Sequence, residues 1–126
     1  MTTRFNFRAV VLGALLDIVG SVVAFAILRA VLGSRWRGGH PPMVLEDAVG
    51  LAFSFFAGGV AGRLARSREL VNSVATAVPC FVLGLAVPTD MTSSPIWHVV
   101  LSHAGMFPFA LLGGYCARKW NRAGVV

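Results

Sequence analysis

The sequence predicts an all-α, polytopic membrane protein: four transmembrane helices in a compact antiparallel bundle. Three observations predict it. Of the 126 residues, 56% are apolar and only 13% charged, with a mean hydropathy of +0.75, whereas soluble domains carry about 25% charged residues. The apolar residues fall into four runs, each close to the roughly 20 residues a helix needs to cross a bilayer core. The arginines and lysines gather at the ends of those runs. A soluble fold of this length has too little interior to hide so much apolar surface, and a lipid solvent removes the need.

The first helix is predicted over residues 9–32, interrupted only by Asp17 and Arg29. Arg4 and Arg8 precede it as in a signal peptide, but an h-region is about 7–15 residues and this run is longer, so it reads as an uncleaved signal anchor. The second helix is expected over 43–62, with Pro41 and Pro42 just ahead, where proline suits a helix start. The third spans 70–87 and is closed by Pro88. The fourth spans 96–117, and Pro79 and Pro108 are expected to kink the third and fourth helices. The connections are brief, so sequential helices must be antiparallel neighbours, and residues 1–126 make a single domain.

Orientation follows from the positive charges. The N-terminal residues Arg4 and Arg8, the turn at Arg63, Arg66 and Arg68, and the tail with Arg118, Lys119 and Arg122 hold eight of the eleven. Both termini are therefore expected in the cytoplasm, across a bacterial inner membrane. The same distribution accounts for the net charge of +6 without a nucleic-acid partner. The partners it implies are the lipid bilayer and either another copy of the chain or another membrane protein. Trp97 and Trp120 sit where interfacial anchors are expected. Cys80 and Cys116 lie within apolar runs, with no disulfide or zinc-ligand spacing, and no metal or cofactor is expected.

Sliding the chain by 55 positions lays helix one on helix three and helix two on helix four. Asp17 then meets Asn72 and Ser21 meets Thr76. Gly58, Gly59 and Arg63 meet Gly113, Gly114 and Arg118. A tandem duplication of a two-helix unit is one reading, and shared constraint is the other. Gly50, Ser54, Gly58 and Gly62 form a ladder of small residues that, with Gly113 and Gly114, marks close helix packing. The ladder is read as the surface that receives the helix carrying Asp17.

Asp17 is the first candidate for chemistry. A carboxylate inside a membrane helix costs on the order of 2.5–3.5 kcal/mol on insertion scales, so its presence asks for a use. It shares a face with Gly13, Gly20, Ser21 and Ala24 and so points into the bundle. Two uses are open: a clamp to Asn72, Thr76 or a backbone carbonyl, or proton or cation handling along a path lined by Asn72 and Thr76. Glu46 and Asp47 occupy the first turn of helix two, where acids complement the helix dipole and where Arg35 or Arg37 would pair with them. His98 and His103 are five apart, off a common face, and a hydrogen-bonding role is expected for them.

The run GALLDIVGS, with Asp17-Ile18-Val19-Gly20-Ser21 at its centre, resembles the first helix of small multidrug resistance transporters, in which a membrane-embedded Glu precedes two branched residues, Gly and Thr. That resemblance implies a proton-coupling role for Asp17. In outline, with Gly58-Gly59 and Arg63 echoed by Gly113-Gly114 and Arg118, the chain resembles small four-helix bacterial inner-membrane proteins of unknown function, which implies a fold only. Two functions follow. The first is a structural or accessory membrane component acting through helix packing. The second is a small proton-coupled transporter or channel using Asp17. No nucleophile–base pair or phosphate loop appears in the sequence, and no enzymatic activity is expected.

Overall fold

The computed structural model describes residues 5–35, 42–86 and 95–124. Its helices are α1 (Phe7–Leu32), α2 (Met43–Ala65), α3 (Glu69–Ala86), α4 (Ile96–Ala104) and α5 (Met106–Arg122), with a 3-10 turn at Gly33–Arg35 after α1. α1, α2, α3 and the α4–α5 pair are each long and apolar enough to cross a membrane. The chain is an all-α, multi-pass membrane protein.

The helix ends follow local chemistry. Asn6 caps α1, its side chain accepting from the Ala9 amide at 3.1 Å. Pro42 opens α2, its carbonyl accepting from Leu45 at 2.9 Å and Glu46 at 3.2 Å, and Pro95 does the same for His98 at 3.0 Å. α2 continues past the expected end at Gly62 to Ala65, and Arg63 settles over the Trp120 ring of α5, 5.4 Å from its centroid. α2 then stops at Arg66, whose φ of 52° is left-handed, followed by Arg68 at 49°. The expected closure of helix three at Val87 and Pro88 lies outside the described residues, as does Arg37.

The fourth span, Ile96–Arg122, is interrupted at Gly105, between α4 and α5. Pro108 explains the break: it has no N–H to give the Ala104 carbonyl, and its ring crowds that carbonyl. Gly105 itself keeps helical angles, φ −63° and ψ −27°, and the ladder resumes with Phe109 donating to Gly105 at 3.3 Å, so Pro108 perturbs the fourth span locally, where the sequence placed a kink. α3 runs through Pro79 without interruption.

α2 and α3 form the short diagonal of the bundle and touch each other. α1 and α5 each pack on both of them, and α1 touches neither α4 nor α5. The end bearing Arg63, Arg66, Arg68, Arg118 and Arg122 is called the basic end below. The half of the bundle next to it is close-packed with small side chains: Ala57, Ala61, Ala77 and Ala110 are fully buried, and the largest fully buried residues are Asn72, Thr76 and Ser73. This is the small-residue packing expected where lipid gives helices no hydrophobic reason to associate. The other half is looser. No residue of α4 is buried, none of α1 after Asp17, and none of α3 after Ala77.

The small-residue ladder of α2 does not serve one neighbour. Gly50 faces Phe25 of α1 at 3.8 Å, but a Cβ at Gly58 would strike the Ala110 backbone of α5, and one at Gly62 would meet Ser73 of α3 and Ala117 of α5 at 2.9 and 3.0 Å. The reason is helical geometry. Four residues overshoot one turn by about 40°, so the ladder swings roughly 120° around α2 from first rung to last. Its first two rungs, Gly50 and Ser54, meet Phe25 and Asp17 of α1, the helix it was expected to receive, while Gly58 and Gly62 turn to α5 and α3.

The internal repeat fares differently in its two parts. Gly59 lies against Gly113, within one residue of the 55-position offset, so the α2–α5 seam respects the alignment. Between α1 and α3 the residues at one level are 63 apart, as Asp17 and Cys80 are. α1 has 26 residues and α3 has 18, so α3 lacks about two turns and the Asp17–Asn72 correspondence has no counterpart in depth.

Candidate functional site: an acid-floored cavity

The looser half of the bundle holds a half-open cavity of about 490 Å³ to which all five helices contribute, within the range of small-molecule sites. Its walls are apolar, including Ile18, Val22 and Phe25 of α1, Leu51 of α2, Leu83 of α3 and Met106 of α5.

Asp17 forms the floor. It lies ten residues into α1, about 15 Å along the axis, and so near the middle of a bilayer core. It is 4% exposed. Three helices meet at its carboxylate: the Ser54 hydroxyl of α2 donates to Oδ2 at 3.0 Å, the Cys80 thiol of α3 donates to the same oxygen at 3.4 Å, and Ser21 of α1 donates to Oδ1 at 3.5 Å. All three are neutral donors, and no lysine or arginine among the described residues lines the cavity. Asp17 is thus a carboxylate at mid-membrane held by hydroxyl and thiol groups, with the cavity above it.

The rim is polar. Arg29 pairs with Glu46 at 3.2 Å in an exposed position. The pairing expected with Arg35 is not formed, because the last turns of α1 bring Arg29 beside the start of α2, while Arg35 lies beyond in the 3-10 turn. Asp47 is buried and its Oδ2 lies 2.8 Å from His98 Nδ1, joining α2 to α4. One turn deeper, His103 Nδ1 lies 2.9 Å from the Val99 carbonyl. A carbonyl only accepts, so Nδ1 carries the proton there, and Nε2 is left on the side of Gly84. A Cβ at Gly84 would come within 3.1 Å of that nitrogen, so the glycine makes room for the ring. Both histidines line the cavity despite their five-residue spacing.

Asn72 and Thr76, the expected companions of Asp17, lie elsewhere. Asn72 is fully buried near the basic end, where its Oδ1 accepts from the Asn6 amide at 3.0 Å and its Nδ2 donates to the carbonyls of Ser67 at 3.2 Å and Arg68 at 3.0 Å. It holds the α2–α3 turn to the start of α1. Thr76 donates to the Ser73 carbonyl at 2.6 Å, and its methyl occupies the space opposite Gly13. Neither lines the cavity. The partners that sequence reasoning did not assign to Asp17 are Ser54, taken there for a packing rung, and Cys80. A signal for Cys80 exists: Thr76, Cys80 and Gly84 recur at four-residue steps and mark one inward face of α3.

Among the described residues no group of His, Cys, Asp and Glu is arranged to hold a metal ion. Compared with protein-family models, curated proteins and solved structures, the chain matches none. Fold and site together define a class: a multi-pass four-span bundle, closed at its basic end, with a cavity in its other half that ends on a membrane-embedded acid.

Proposed function

We propose that the protein is a small proton-coupled transporter or channel of the bacterial inner membrane, in which Asp17 takes up and releases the coupling proton or cation. The observation that carries this reading is the cavity with Asp17 at its floor. By the distribution of positive charge, the basic end and both termini face the cytoplasm, so the cavity lies in the outer half of the bundle. A proton or small cation entering at Glu46, Asp47 and His98 reaches a carboxylate that has only neutral donors around it. The close-packed basic half below Asp17 is the barrier that a change of state has to open, as alternating access requires.

A purely structural or accessory role is the competing reading. It leaves the cavity unused, and the glycine surfaces that would serve partner binding are occupied within the chain by α5 and α3. Reconstitution separates the two. Wild type and Asp17→Asn are placed in liposomes, and proton and monovalent-cation flux are followed under an imposed gradient. Flux in the wild type that is lost in Asp17→Asn is the expected result. Equal silence from both returns the protein to the accessory role. A reporter fused after Val126 that is active only in the cytoplasm tests the orientation.

A further inference from the structure

We infer that α4 is the gate of the cavity and that the Asp47–His98 pair is the latch holding it against α2, an inference that rests on the transport reading above. α4 is nine residues long, has none buried, and is bounded by Pro95 and by the break at Gly105. It does not touch α1, which faces it across the cavity. Among the described residues, the one side-chain hydrogen bond that ties α4 to another helix is His98 Nδ1 to Asp47 Oδ2, 2.8 Å long, with the two side chains only 19% and 5% exposed. Ser102 and His103 bond back into α4 itself.

The hinge is built in. Gly105 still donates to Leu101 at 3.0 Å, but Pro108 has no N–H for the next carbonyl, Ala104, so the α4–α5 junction is one backbone bond short and bends there at the least cost. A swing of α4 about Gly105 carries His98 and the start of α4 away from α2 and widens the way to Asp17 and Cys80. His98 and Asp47 are accordingly positioning residues, acting on access to Asp17 and not on the proton it holds.

Cys80 at the floor is a native reporter of the gate, because Cys116 is exposed on α5 and lines no part of the cavity. The full-length protein carrying Cys116→Ser, in detergent micelles, is treated with a water-soluble methanethiosulfonate and the labelling rate of Cys80 is followed. A buried hydrogen bond biases a two-state equilibrium by about tenfold. Asp47→Ala and His98→Ala are each expected to label about tenfold faster than the parent, and the double variant no faster than either. His98→Asn, whose amide nitrogen replaces Nδ1, is expected to stay near the parent rate. Unchanged rates in both alanine variants, or additive effects in the double variant, overturn the latch. A general loosening of the fold speeds His98→Asn as well and overturns it too. Labelling needs no transport, so a latch that passes alongside silent liposomes sinks the transport reading alone, and flux with an unresponsive Cys80 sinks the gate alone.

Discussion

Gly58 and Gly59 are adjacent, chemically identical and both inside α2, yet alanine is predicted to act on them in opposite directions. A Cβ on Gly58 would lie 2.7 Å from the Cα and carbonyl carbon of Ala110 and closer still to its oxygen. Carbon atoms rest about 3.5–4.0 Å apart, so α5 has to retreat by roughly 1 Å along the most extensive helix contact in the bundle. Overpacking of this kind costs about 1–3 kcal/mol. A Cβ on Gly59 would find its nearest neighbour, the Gly113 carbonyl oxygen, at 3.6 Å, an ordinary contact. There the helix-propensity advantage of alanine, about 1 kcal/mol, is left unopposed. The two variants should differ by about 2 kcal/mol, which for a chain of this size separates their thermal midpoints by roughly 6–10 °C. The assay is thermal unfolding of purified wild type, Gly58→Ala and Gly59→Ala in one detergent. The expected order places Gly59→Ala at or above wild type and Gly58→Ala clearly below. Equal shifts, or the reverse order, would refute the assignment of the Gly58 face to α5.

Two further substitutions test the basic end. Asn72→Asp keeps the acceptor for the Asn6 amide but turns an acceptor-only group toward the Ser67 and Arg68 carbonyls that Asn72 now serves as a donor; a loss of about 2–3 kcal/mol is expected, read as a lowered thermal midpoint, and an unchanged midpoint contradicts the clamp. Arg66→Gly removes a side chain from a left-handed position where L-residues are strained by about 1–2 kcal/mol, so the midpoint should rise by a few degrees while proton flux stays at the wild-type level.

The architecture was legible because the membrane imposes it one helix at a time. Run length, flanking proline and terminal arginine are local signals, and they located all four spans. What failed was pairwise. The ladder of α2 was visible as spacing, but its partner depends on a drift of about 40° per rung that a one-dimensional pattern hides. The repeat matched Asp17 to Asn72 because an ungapped shift ignores the two turns by which α3 is shorter than α1. Pro108 was recognised as a perturbation, and the structure locates its effect at the Ala104 carbonyl, which loses its helical donor while Gly105 keeps helical angles. Ser54 and Cys80 were missed as partners of Asp17 because a hydroxyl or thiol in an apolar run has a packing reading that is always available.

The position of Asp17 bears on why it is there at all. Three hydrogen bonds from neutral donors, together about 3 kcal/mol, roughly offset the 2.5–3.5 kcal/mol that a mid-membrane acid costs on insertion scales. As a clamp, then, it contributes close to nothing, and an apolar side chain of similar volume would hold α1 to α2 at least as well, as replacements of buried ionic groups often do. A clamp would also belong in the close-packed half, where Asn72 does that work with both of its polar atoms enclosed. Asp17 instead sits at the level where packing ends and the cavity begins, with Ser54 and Cys80 holding one oxygen and, among the described residues, Ser21 alone, at 3.5 Å, near the other. An acid that adds little to stability and lies on the floor of a cavity is placed for what reaches it through that cavity, which is the physical ground for giving it the coupling role.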